Sequence, residues 1–247
     1  MAVEQPNQAS FEITHEKAPS ESVIAGFSSF GLAGLTAVDY LTDQLGLSQT
    51  GHITTRKLPS ITPFENGTPR HHTRLFSRPE GDVTVLVNEL FVPVWAADSL
   101  SEAVLEWADA SGVQEITILS GVPVPHGPEQ HRTYYVATED YQAAHLQDTN
   151  VEPMGSGFLD GVNASLIGQG IDSPLRVGVL LTPAHAQVPD VEAALRLIDT
   201  LKHVFDIDID TSALEGFAAE IEQYYRELAA RLEDVDRDHV AEDRMFM

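Results

Sequence analysis

Between Ser22 and Leu41 the chain reads SVIAGFSSFGLAGLTAVDYL, with glycines at 26, 31 and 34 where an apolar strand pattern gives way to a helical one. Turns of this kind hold phosphates or present nucleophiles, because backbone N–H groups and a helix N-terminus converge there. Each of those chemistries also needs particular side chains. Gly26-x-x-x-x-Gly31 has P-loop spacing, but Leu32 and Ala33 stand where the phosphate-binding lysine and the metal-binding hydroxyl residue belong. A dinucleotide fingerprint retains only Gly31 and Gly34 of its three glycines. A nucleophile elbow would use Gly26 and Ser28, but Phe30 replaces its second glycine. The favoured reading is structural: small residues let the helix pack closely on its strand.

Glu89, His126 and His185 fall at or just past the ends of predicted strands, from which side chains reach a common crevice in an α/β sheet. His126 as general base with Glu89 as its orienter would suit group transfer. Strand-end carboxylates also cap turns and helices, and that is the plainer expectation. Ten histidines invite a metal centre, but their spacing does not support one. His71 and His72 are adjacent and point apart on a strand, whereas His126, His131 and His145 are separated by loops. No metal and no cofactor are expected, and no catalytic residue is assigned. Gly155-Ser156-Gly157 could offer N–H groups to an anion, although a tight turn is the simpler reading.

The elements that would position these residues alternate. Phe11–Thr14 has the period of an edge strand, and a further strand is expected around His52–Arg56. Leu75-Phe76 and Val83–Val87 read as two strands joined by a turn, the second apolar on consecutive residues, as in a strand covered on both faces. Ser99 with Glu102 forms a capping-box pattern before the apolar positions Leu100, Val104 and Trp107, and Gly112 ends that helix. Glu115–Ser120 and Leu175–Leu181 are buried strands; Thr133–Ala137 is β-rich and hairpin-like. One helix follows Gly161 and another starts at Asp190. The fold class is therefore α/β: three layers, α/β/α, with a mostly parallel central sheet. From Leu214 to Leu232 apolar residues recur at three- and four-residue steps, which predicts a C-terminal amphipathic helix before an acidic tail. We divide the chain at 1–210 and 211–247, within one structural domain.

At 247 residues with a formal charge of −24, the chain can bury a large core but is a poor partner for nucleic acid or anionic membranes. Its basic residues are mostly arginine, with lysine only at Lys17, Lys57 and Lys202. An acidic surface over an ordinary apolar content resembles proteins of salt-accumulating halophiles, in which screening blunts self-repulsion. There is no cysteine, which excludes disulfides and thiolate chemistry. MAVEQPNQAS lacks the basic and apolar regions of a signal peptide, and no apolar run nears about 20 residues, so a cytoplasmic protein is expected.

The turn Gly26-Phe27-x-x-x-Gly31-Leu32-x-Gly34 after an apolar strand resembles the opening of the proteasome assembly chaperone 2 (PAC2) family, and the resemblance runs from about Ser22 through the C-terminal helix. It implies a nucleoside-phosphorylase-like layering, with Gly26, Phe27, Gly31 and Gly34 as a structural family signature. It also implies a non-catalytic, homo-oligomeric chaperone or adaptor whose partners are proteasome α-subunits, here in an archaeal halophilic-type member. Proteasome activators and some PAC2-like chaperones end in hydrophobic–tyrosine–any residue, which docks between α-subunits. Met245-Phe246-Met247 is similar, with Phe246 in place of tyrosine. Such a tail delivers two apolar side chains and a carboxylate to a pocket, and several tails on one oligomer gain avidity. An association of such proteins with ATP-grasp ligases supplies an alternative, an ATP-dependent ligase or phosphorylase-like enzyme using the Gly26 and Gly121 strand-end loops.

Overall fold

The computed structural model describes residues 9–219 apart from 79, 80, 82, 125, 126 and 186–188. The elements, in chain order, begin with β1 (Ser10–His15), β2 (Ser22–Phe27), α1 (Ala33–Gln44) and β3 (Ser48–Arg56). A two-strand excursion, β4 (Phe64–Glu65) and β5 (Thr68–Pro69), precedes β6 (Thr73–Ser77), β7 (Val83–Asn88), α2 (Val94–Ser111) and β8 (Glu115–Val122). Then come β9 (Tyr134–Ala137), α3 (Glu139–His145), β10 (Glu152–Pro153), α4 (Gly161–Ile171), β11 (Arg176–Pro183) and α5 (Val191–Phe205).

Among the described residues, nine strands form one sheet in the order β1-β3-β6-β7-β2-β8-β11-β9-β10. Its centre, β7-β2-β8-β11, is parallel throughout, and these are the continuous apolar runs of the sequence. The flank β1-β3-β6 joins β7 antiparallel, and β9 joins β11 antiparallel. The sheet is thus parallel at its core and mixed overall. A short β6–β7 connection can only reverse the chain, since a parallel pairing would need a long crossover.

Helices cover both faces. Alternate residues Val23, Ala25 and Phe27 of β2 share a buried cluster with Leu100, Val104 and Trp107 of α2 and Val162 and Leu166 of α4. Each fully buried Val, Leu or Phe side chain among them contributes about 1.5–3 kcal/mol. The opposite residues meet α1, which packs against α5. At the N-terminal end of β8, buried Glu115 accepts from His145 Nε2 at 2.7 Å and from Arg176 Nε at 3.1 Å, which ties α3 to the sheet. Burial pushes the Glu115 carboxyl up, but the His145 bond and nearby positive charge outweigh it and hold it below the usual range.

Two local expectations are corrected. Ser99 is not a cap: α2 begins at Val94 after Pro93, and its buried side already starts at Ala96 and Ala97, ahead of Leu100. Tyr134–Ala137 is not a hairpin; it lies between β11 and β10. The chain falls into two compact units divided between Ile209 and Asp210. In the second, residues 212–219 are helical, and Thr211 Oγ1 donates to Glu215 at 2.6 Å. The rest of the predicted amphipathic stripe lies outside the described residues.

Candidate functional site

At the carboxyl ends of β2 and β8 the two faces of the sheet differ. On the α1 side the backbones approach closely. A methyl on Gly34 would overlap the Leu119 carbonyl, and one on Gly26 would overlap the Gly34 carbonyl and come within 2.5 Å of Val38. Gly31 has φ +64°, favoured by glycine, and its carbonyl accepts from Asp190 N at 2.8 Å. Gly121 abuts the Phe30 carbonyl. The glycine turn is therefore filled by protein.

On the α2/α4 side a cleft of about 1110 Å³ opens, lined by strand ends and by residues 153–163. Its position follows from topology. β2 leads through α1 towards the β7 side of the sheet, while neighbouring β8 leads towards β9 and β11. Adjacent parallel strands whose connections diverge leave a crevice at their carboxyl ends, where ligands of open α/β sheets bind. The walls include Phe27, Leu90, Val92, Val122, Met154 and Leu159. On the polar floor Asn163 Nδ2 donates to Ser120 Oγ at 2.9 Å, and Ser29 Oγ lies 3.5 Å from the same oxygen. Buried Asn88 braces the neighbouring strand end, accepting from Thr73 Oγ1 at 2.6 Å and donating to the Leu90 carbonyl at 2.7 Å. Phe30, Phe91, Val94, Val124 and Phe158 surround this crevice and are exposed.

The sequence constellation is not brought together. Glu89 lines the cleft, but its carboxylate is held bidentately by Arg70, at 2.9 Å for the Nη2–Oε1 contact, and by Arg74 at 3.2 Å. Arg74 also lies 3.6 Å from Asp39, whose carboxyl is raised by burial. His185 sits on Asp190, with Nδ1 2.7 Å from Oδ2, and Asp190 caps α5 by accepting from Ala193 N at 2.9 Å. Burial raises the Asp190 carboxyl, but the His185 and Ala193 N–H groups and the His185 ring outweigh it and hold it low. His126 lies outside the described residues. Gly155, Ser156 and Gly157 form an exposed loop at the cleft margin, preceding α4. Among the described residues no three His, Asp or Glu side chains gather as a metal cage. The residues sequence reasoning missed are Ser29, Ser120 and Asn163. They carry no motif spacing, and only their polarity at the ends of apolar elements marks them.

Comparison with known proteins rests on the same framework. The PAC2 family model matches residues 23–229, from the first buried residue of β2 onward. The chain belongs to the PAC2 family. The chain is also similar to an uncharacterized Methanocaldococcus jannaschii protein, 21% identical over 207 residues that cover 84% of each chain. The fold matches Pyrococcus furiosus PbaA, described as an archaeal homolog of proteasome-assembly chaperone, with TM-score 0.81 and 17% identity over 96% of this chain and 100% of that one. It also matches P. furiosus PbaB, described as an archaeal proteasome activator, with TM-score 0.74 and 18% identity over 90% and 99%. Gly26, Gly31 and Gly34 lie at the closed junction beside the cleft, and Phe27 lies in the cleft wall. Met245, Phe246 and Met247 lie outside the described residues. Among those described, no helix is long and apolar enough to cross a membrane.

Proposed function

We propose that this PAC2 protein is a non-catalytic, homo-oligomeric proteasome assembly chaperone or proteasome-associated adaptor that docks on proteasome α-subunits through Met245-Phe246-Met247. The observation that carries the reading is the family match over residues 23–229. Structural likeness to PbaA and PbaB over nearly the whole chain is consistent with it. The filled glycine turn supports a body that does no phosphate chemistry, since Gly26, Gly31 and Gly34 are occupied by neighbouring backbone. Commitment of Glu89 to two arginines removes the orienter a His126 base would use. In this reading the body has the nucleoside-phosphorylase-like layering, works in the cytoplasm, and is of archaeal halophilic type, for which the charge of −24 is the support. In this reading Met245 and Phe246 supply the two apolar side chains that enter a pocket between α-subunits.

Deleting Met245–Met247 is expected to abolish co-purification with proteasome α-subunits at native salt while the oligomer, read by light scattering, stays intact. Undiminished co-purification would overturn the tail model. Saturable ATP or phosphate binding in calorimetry would instead favour the ligase or phosphorylase alternative.

A further inference from the structure

We propose that the cleft beyond the carboxyl ends of β2 and β8 binds an uncharged amphiphile: an apolar body carrying a neutral amide- or hydroxyl-type head that meets Ser29, Ser120 and Asn163. The inference is independent of the chaperone reading, which concerns the chain's far end. The volume, about 1110 Å³, is at the upper limit of small-molecule sites, which run to about 1,000 Å³. The walls are largely aliphatic and aromatic, so the body of the ligand gains by leaving water.

Charge selects the head. Among the described residues that line the cleft there is no lysine, arginine or histidine. A carboxylate or phosphate head would find no counter-ion among these residues and lose its hydration. A cation fares little better, since Glu89 is already held by Arg70 and Arg74, and Asp160 is solvent-exposed at the start of α4. What the floor offers is neutral. Ser120 is 2% exposed, and it receives the Asn163 amide, whose carbonyl oxygen and second N–H retain capacity for a ligand. The Ser29 hydroxyl, 3.5 Å from Ser120, can donate or accept. Paired donors and acceptors of this kind match an amide or an alcohol.

The test uses the full chain, with the neutral fluorophore N-phenyl-1-naphthylamine as probe and octanamide, octanoate and octyltrimethylammonium as competitors. Saturable, single-site binding is expected, with octanamide displacing the probe at least about tenfold more effectively than either charged competitor. Val122→Trp, which fills the cleft, should weaken probe binding by at least about tenfold. Should Val122→Trp lose its melting transition, Met154→Trp takes its place, at a partly buried position of the cleft wall. Asn163→Leu should keep the probe but bring octanamide and octanoate to within about threefold of one another. Absence of saturable binding, equal competition by the three head groups in the unaltered protein, or a folded cleft-filling variant that binds as before would each overturn the proposal.

Discussion

The two faces of the sheet at the ends of β2 and β8 share the same strands yet have opposite character. On the α1 face, glycines allow backbone to touch backbone, and nothing can enter without displacing a helix. On the α2/α4 face, the strand ends carry larger side chains, Phe27 and Val122, but the covering elements stand back and leave a cleft. A glycine-rich strand–helix turn is commonly taken as the mark of a ligand site. Here it is what closes one face, and the face onto which Phe27 and Val122 project is the open one. The glycines whose spacing suggests a phosphate loop are the ones whose surroundings are filled by neighbouring backbone.

The strongest way to break this contrast is Gly34→Ala. The added methyl would meet the Leu119 carbonyl, a backbone atom that cannot rotate away, so α1 must lift from the sheet. Overpacking of this kind costs about 3 kcal/mol or more, which in a chain of this size lowers the melting temperature by about 6–12 °C. Melting within about 2 °C of the unaltered protein would show that the junction is looser than the contacts require.

A smaller effect is expected where the closed face is tied to α5. Asp190 receives the His185 and Ala193 N–H groups and donates its own N–H to the Gly31 carbonyl. Asp190→Ala keeps the last bond and loses the cap, at a cost of about 1–2 kcal/mol. The sign of its pH dependence follows from the lowered carboxyl. A depressed folded value means the stabilisation is fully present above the unfolded value, about 4, and is lost as pH falls through the lower folded value. The melting difference between Asp190→Ala and the unaltered protein should be present at about pH 5 and shrink below about pH 4. A difference unchanged at pH 2.5 would assign the loss to packing instead.

The contrast also explains what could be read without a structure. β2, β7, β8 and β11 were legible because strands buried on both faces are apolar at successive positions, and Asp190 because a cap leaves a local signature. α3 was not, since only Tyr141 of its seven residues is buried and no stripe forms. The start of α2 was misplaced because Ser99 and Glu102 mimic a capping box inside a helix. The closed face was legible because its glycines lie close together in sequence. The cleft was not, because Ser29, Ser120 and Asn163 come from three separate strand or helix ends, and their meeting depends on strand order.

The smallest expected effect lies at the open face and tests its openness directly. Phe158 is fully exposed on the loop before α4, so Phe158→Ser removes an aromatic ring that makes no buried contact in the isolated chain. Surface substitutions away from caps and cores change stability by no more than about 0.5 kcal/mol. Chemical denaturation of this variant should therefore coincide with that of the unaltered protein, at both low and high protein concentration. An exposed apolar rim of this kind is the sort of surface that other molecules cover. A loss above about 1 kcal/mol that grows with protein concentration would mean that a second copy buries Phe158. The open face would then be a subunit interface, and the difference between the two faces would be one of what fills them, own helix or neighbouring chain.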